Sequence, residues 1–269
     1  MTVDHHTAKE SFGRLIDIMD QLRAKCPWDK KQTIESLRHL TIEETYELAD
    51  AILDHDMTGI RKELGDILLH IVFYAKIASE TGDFTIKEVI DGICEKLIFR
   101  HPHVFGNTSA LHCAQSTTVN DAEDVKSNWE SLKIKEGNRS ILAGVPQSLP
   151  AMVKANRIQD KACAVGFDWD KREQVWEKIE EELNELKEEV GQMDKEKMED
   201  EFGDFFFSMV NAARLYGIDP EAALERTNKK FIKRFNYLEE HTIKAGRPLT
   251  SMTLEEMNVV WEEAKKNYL

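Results

Sequence analysis

Apolar residues recur along this chain at intervals of three and four. Leu37, Leu48 and Ile52 follow that spacing, as do Ile60, Leu64, Ile67 and Ile71. Farther on, Val175, Ile179, Leu183, Leu186 and Val190 precede Met198, Phe202, Phe205 and Met209. A period near 3.6 is that of an amphipathic helix, so the pattern predicts two such helices in each half of the chain. The polar stretches Asp54-His55-Asp56 to Gly59 and Gly191 to Asp194 fall where a tight connection belongs, which makes each pair antiparallel neighbours. Further helices near residues 85–99, 122–135, 220–240 and 253–267 complete two bundles, and the fold class is all-α.

The two halves repeat one another. Glu43-Glu44-Thr45-Tyr46-Glu47-Leu48 parallels Glu181-Glu182-Leu183-Asn184-Glu185-Leu186, and Glu63-Leu64-Gly65-Asp66 parallels Glu201-Phe202-Gly203-Asp204. Glu63 follows Glu47 by 16 residues, as Glu201 follows Glu185. Pro27-Trp28-Asp29 matches Phe167-Asp168-Trp169-Asp170, Lys96 and Arg100 match Lys230 and Arg234, and Trp129 with Lys133 matches Trp261 with Lys265. Such duplication predicts one architecture used twice. The Gly- and Pro-bearing stretch 137–150 reads as the linker between an N-terminal domain, 1–136, and a C-terminal domain, 151–269.

Composition agrees with helices: 13 Gly and 6 Pro in 269 residues are few, and charged residues reach 32%. The net charge of −14 opposes the phosphate attraction on which duplex binding depends, so no nucleic-acid partner is expected. Cys26, Cys94, Cys113 and Cys163 form no Cys-x-x-Cys pair, which suits reduced thiols and argues against structural zinc. Residues 1–20 hold several acids and no apolar signal core, and runs such as Ile67 to Ala75 are too short for a bilayer. A soluble cytoplasmic protein with no membrane partner is the expectation.

Glu44 and Glu47 share a helix face, as do Glu63 and Asp66, and the first pair borders the apolar stripe. Glu182 and Glu201 are placed likewise beside Leu186 and Phe205, so both acid sets point toward a seam between helices. Carboxylates gathered at such a seam repel one another and lose hydration. Oxygen ligands without histidine select a hard cation, Mg²⁺ or Mn²⁺ before Zn²⁺. Mg²⁺ is held by few carboxylates together with substrate phosphates, so a phosphate ester or anhydride is the natural substrate class. The acid run 180–189 taken alone is also an ordinary solvated face; it is the duplication that favours ligation. Asn228, Lys230, Lys233 and Arg234 beside Phe231 and Phe235 supply cations for phosphate oxygens. Trp261 is either a stacking platform for a nucleobase or a buried anchor. His101 and His103 either touch metal or phosphate or serve the structure.

Cys26-Pro27-Trp28-Asp29, Gln32-Thr33, Ser36-Leu37, both E-E-x-x-E and E-x-x-D motifs, His101-Pro102-His103-Val104-Phe105, Val165-Gly166-Phe167-Asp168-Trp169 and Asn228-x-Lys230-Phe231-x-x-Arg234-Phe235 stand in order along the chain. Together they resemble the MazG family of nucleoside triphosphate pyrophosphohydrolases. The resemblance implies two tandem MazG-like domains of the all-α NTP pyrophosphatase fold, a homodimer, and Mg²⁺-dependent hydrolysis of NTPs and dNTPs to monophosphate and pyrophosphate. It implies that the C-terminal domain is the catalytic one. Glu182, Glu185, Glu201 and Asp204 would then ligate the metal with Glu181 beside them, and Glu44, Glu47, Glu63 and Asp66 would form a second site. Lys133, Asn228, Lys230, Arg234 and Trp261 match positions tied to nucleotide binding, and Lys230 and Arg234 would stabilise departing pyrophosphate. Glu181 or one of the ligand acids would position the water. The rival reading is a non-catalytic helical dimer that binds nucleotides or a protein regulator.

Overall fold

The computed structural model describes residues 5–105, 140–244 and 246–267. Among the described residues there are α-helices, short 3₁₀ turns and connections, and no strand. No described helix is long and apolar enough to cross a membrane. The chain divides into two compact units, Met1–Thr118 and Val119–Leu269. The helix expected near 122–135, with Trp129 and Lys133, lies outside the described residues.

The first unit contains α1 (His5–Lys25), α2 (Ile34–Leu53), α3 (Met57–Thr81), α4 (Ile86–Arg100) and the single turn α5 (Pro102–Phe105). The second contains α6 (Ala151–Cys163), α7 (Val175–Gln192), α8 (Lys195–Leu215), α9 (Pro220–Lys244) and α10 (Leu254–Asn267). Two of these, α1 and α6, are additional to the helices expected from the sequence, although Phe12, Leu15, Ile16 and Met19 do carry the helical spacing. They matter because each lies on the second acid-bearing helix of its unit, α1 on α3 and α6 on α8.

The antiparallel pairs α2/α3 and α7/α8 are the most extensive packing within each unit. Their ends are set by side chains. Thr33 and Ser36 form a capping box that starts α2, and Thr85 with Glu88 does the same for α4. The first connection is shorter than expected. Asp56 accepts a hydrogen bond from the Thr58 N–H at 3.0 Å and starts α3 at Met57, so Gly59 lies within the helix. A Cβ on Gly59 would stand 2.6 Å from Asp56 Oδ2 and 3.1 Å from the Ala51 Cβ, so a larger residue there would have to displace the Asp56 carboxylate.

The second connection turns on Met193, which adopts φ 61° with its side chain exposed. Left-handed backbone costs a side-chain-bearing residue about 1 kcal/mol relative to glycine, which suits the residue after a helix end. Met193→Gly is therefore expected to raise unfolding stability by about 1 kcal/mol in a denaturant titration. A loss instead would mean that the Met193 side chain anchors the turn.

In the first unit Met19, Leu37, Val72 and Phe73 are buried together, with Leu15, Leu40 and Ile77 packed around them. The second unit has a smaller cluster of Val175, Ile179 and Ala212, bordered by Phe205 and Leu215. Not every stripe residue is covered. Leu64, Leu68 and Ile71 on α3 are exposed, and so are Phe202, Phe206 and Met209 on α8. The second trio stands 138 residues after the first, position for position, the same offset that relates Glu63 to Glu201.

Candidate active site

The helix pairs bring acids from neighbouring helices to one place. In the second unit Glu182 of α7 and Glu201 and Asp204 of α8 each offer a carboxylate oxygen, all within 4.8 Å of one another. In the first unit Glu44 of α2 and Glu63 and Asp66 of α3 do the same within 4.8 Å. Glu185 and Glu47 stand outside these groups of three, yet each is near enough to press on its neighbours' charge. Glu182 and Glu63 are each only 6% exposed. One carboxylate oxygen of Glu63 and one of Glu201 are buried without a hydrogen-bond partner. A buried acceptor left unmet costs on the order of 1–3 kcal/mol, so these oxygens call for a cation. Carboxylates without histidine, at this spacing, fit a hard divalent ion.

Burial and mutual repulsion act on these acids in the same direction. Burial, then the charges of Glu185, Asp204, Glu182 and Glu189, holds Glu201 above the usual carboxylate range. Burial, then Asp66, Glu47 and Glu63, raises Glu44 likewise. A raised carboxyl pKa means that the folded chain binds this proton more tightly than the unfolded one. Ionised Glu201 thus costs stability at neutral pH, and the cost fades as pH falls through its raised pKa. In chelator, Glu201→Gln should melt higher than the parent at about pH 8, with the gap closing toward about pH 5. A gap of the opposite sign would show that Glu201 holds the fold by other contacts.

Lysines that the sequence reading passed over partly offset this charge. Lys62 Nζ lies 2.9 Å from Glu63, 3.9 Å from Glu47 and 3.9 Å from Asp66. Lys178 Nζ lies 2.8 Å from both Glu181 and Glu182. Hydrogen bonds to Glu181 and Glu182 hold its pKa well above the usual lysine value. The two lysines are not equivalent. Position 200, which corresponds to Lys62, is Asp, and position 40, which corresponds to Lys178, is Leu. In the second unit Lys178 serves one side of the site, and no ion pair joins a lysine or arginine to Glu185, Glu201 or Asp204 among the described residues. The spacing of Lys178 to Glu181 and Glu182, three and four residues, was the readable signal.

A cavity of about 680 Å³ opens beside the acids, with Lys178, Glu182 and Asp204 in its wall. Ile158 and Gln159 from α6, Phe167 to Trp169 from the connection, and Phe207, Ser208, Asn211 and Arg214 from α8 line most of the rest. Arg214 donates to Asp168, at 3.1 Å through one of its two bonds, and to Asn211 Oδ1 at 2.9 and 3.0 Å. The motif Phe167-Asp168-Trp169 was legible as a repeat, but its meeting with Arg214, 46 residues on, was not.

The other residues of the second unit singled out by sequence lie away from the acids and the cavity. Asn228 donates to Glu225 at 3.2 Å, and Lys230 is exposed on α9, the helix that packs on α6, α8 and α10. Arg234 is half-buried on the same helix. Trp261 is half-buried against the Phe231 ring, centroids 5.1 Å apart. None of these lines the cavity or joins the group of three acids. His101 and His103 flank the start of α5, where a loop was expected. The His101 Nδ1 lies 2.7 Å from the Leu97 carbonyl, and neither histidine belongs to a metal-capable group among the described residues.

Comparison with known proteins accounts for the duplication. The MazG nucleotide pyrophosphohydrolase domain matches twice, at residues 32–105 and 171–238. The chain belongs to the MazG family. A Thermotoga maritima protein named nucleoside triphosphate pyrophosphohydrolase/pyrophosphatase MazG is 44% identical, over 94% of this chain and 95% of its own. An Escherichia coli K12 protein named nucleoside triphosphate pyrophosphohydrolase is 40% identical, over 95% of this chain and 97% of its own. Each MazG match spans the antiparallel pair with its acids, α2/α3 in one unit and α7/α8 in the other.

Proposed function

We propose that this MazG chain hydrolyses nucleoside triphosphates, with ribose or deoxyribose, to the monophosphate and pyrophosphate, using Mg²⁺ held by its C-terminal acids. The observation that carries the reading is the meeting of Glu182, Glu201 and Asp204 within 4.8 Å beside a cavity whose wall includes Glu182 and Asp204. Mn²⁺ is the expected substitute, since it accepts the same oxygen ligands. Bound there, the ion supplies charge neutralisation for the phosphates and activation of the attacking water. Glu182, Glu201 and Asp204 hold it, with Glu185 alongside, and one acid of the set or Glu181 takes the proton from water. Lys230 and Arg234 receive the pyrophosphate oxygens from α9. Water adds to one phosphorus as the α–β anhydride bond breaks, and no other reactant is needed. Domains of 1–136 and 151–269 with a linker of 137–150 remain our division of the chain, the second domain being catalytic.

The reading further takes the protein as a homodimer in the cytoplasm. The uncovered stripe Phe202, Phe206 and Met209, duplicated in Leu64, Leu68 and Ile71, supports a helix face that pairs with a second chain. Phe206→Asp should shift the mass measured by light scattering from dimer to monomer; an unchanged mass would assign the stripe elsewhere.

The test is product analysis. ATP with Mg²⁺ should yield AMP and pyrophosphate. ADP and phosphate would overturn the reading, and tight binding without turnover would establish the rival, a nucleotide-binding regulator.

A further inference from the structure

We propose that Lys62 occupies the cation seat of the first unit, so that its acids hold the chain's own ammonium in the place where those of the second unit take a divalent ion. The duplication by itself would put the same ion in both units, but the two seats are not alike. Glu44, Glu63 and Asp66 offer oxygens within 4.8 Å of one another. Lys62 comes into that group from α3, its Nζ 2.9 Å from Glu63, 3.9 Å from Asp66 and, across the seam on α2, 3.9 Å from Glu47. One ammonium thus serves acids of both helices. An Mg²⁺ or Mn²⁺ on the same Glu63 oxygen, bonded at about 2.1 Å, would stand within about 5 Å of it, positive charge against positive charge. The ion therefore enters only as the ammonium leaves.

Lys178 does not do the same in the second unit. Its Nζ lies 2.8 Å from Glu181 and from Glu182, both on its own helix, and among the described residues no ion pair joins it to Glu201 or Asp204 on the facing one. Asp200 stands in the place of Lys62, at the offset of 138 residues. The surroundings differ as well. Lys178, Phe207, Ser208 and Asn211 border the cavity, and the corresponding residues of the first unit are Leu40, Leu69, His70 and Phe73. Phe73 is buried in the core with Leu40 and Leu69 packed against it, and His70 is buried too. Mg²⁺ held by few carboxylates relies on substrate phosphates to complete its shell. In the first unit the positions that border open space in the second are filled by side chains, and an ammonium is a cation that needs no phosphate.

The seat itself persists beneath the lysine. One Glu63 oxygen is buried without a hydrogen-bond partner, on a residue 6% exposed, so a divalent ion has an acceptor waiting once the competing charge is gone. Lys62 is exposed, and replacing it leaves the core untouched. Lys62→Gln removes the charge and adds no acid. It should bind one more Mn²⁺ per chain than the parent, counted by electron paramagnetic resonance, with affinity at that site at least about tenfold above the parent's. Lys62→Arg keeps the cation and should show no gain. Adding Glu63→Gln to Lys62→Gln should abolish the extra ion, with circular dichroism establishing that each variant is folded. No gain in Lys62→Gln, the same gain in Lys62→Arg, or a gain that survives Glu63→Gln would overturn the proposal. The counts do not depend on turnover, so a failure to hydrolyse ATP would overturn the enzymatic reading alone.

Discussion

Glu201→Gln should stop triphosphate hydrolysis, with kcat reduced on the order of a thousandfold, while Glu63→Gln leaves most of it. The two residues occupy corresponding places on α8 and α3, so the contrast tests which unit works. Glu201 sits in a group whose α8 acids have no lysine or arginine paired to them among the described residues, beside a cavity whose wall includes Glu182 and Asp204. Its amide keeps the shape and removes one charge from the ligand set, which lowers both metal affinity and the field on the phosphates. Glu63 is placed differently. Lys62 stands 2.9 Å from it and within 3.9 Å of Glu47 and Asp66, so an ammonium already meets much of that charge. Single-turnover assays at saturating Mg²⁺ on both variants decide the matter, with circular dichroism to establish folding. Equal loss from both would mean that the two units act as one site.

Asp168→Ala should cost about 3 kcal/mol of folding stability, read as a fall in the denaturation midpoint. Arg214 is only 11% exposed at its side chain, and Asp168, at 22%, meets its guanidinium with two hydrogen bonds. Removing the acid leaves a positive charge enclosed with an amide oxygen and the Cys163 thiol, neither of which neutralises it. Burial alone would lift the Asp168 pKa, but Arg214, the Cys163 thiol and the Trp169 N–H together hold it below the usual value. A carboxyl depressed in this way stabilises the fold above its unfolded pKa and loses that effect as pH falls through the folded one. The deficit of Asp168→Ala should therefore persist at neutral pH and shrink only below about pH 4. A loss under about 1 kcal/mol would place the pair among weak surface contacts.

The sequence by itself determined a great deal. Helical periodicity with few Gly and Pro residues gave an all-α chain, because a 3.6-residue pattern can bury its apolar face only as a helix. The duplicated acids identified the helix pairs, since side chains three apart on a helix must share a face whatever surrounds them, and the ordered series of motifs around them carried the resemblance to the family. The positions of α4, α9 and α10 were also legible, as was the place of the turn before α8.

Other features were decided only in three dimensions. Sequence spacing relates residues on one helix and says nothing of what crosses from another. Lys62 reaching Glu47, Asp168 reaching Arg214 and Gln159 reaching the Phe207 carbonyl all depend on helices packed at particular depths and rotations. The same holds for burial: Leu64 and Ile71 belong to the apolar pattern of α3 yet are exposed, while Glu63, the residue before Leu64, is enclosed. Periodicity marks the apolar side of a helix, and only packing determines which part of that side is covered. Nor does the repeat reveal that Phe73 closes one core where Asn211 borders a cavity in the other. That difference rests on how α1 and α6 lie over α3 and α8, because a side chain fills or leaves space only in relation to its neighbours.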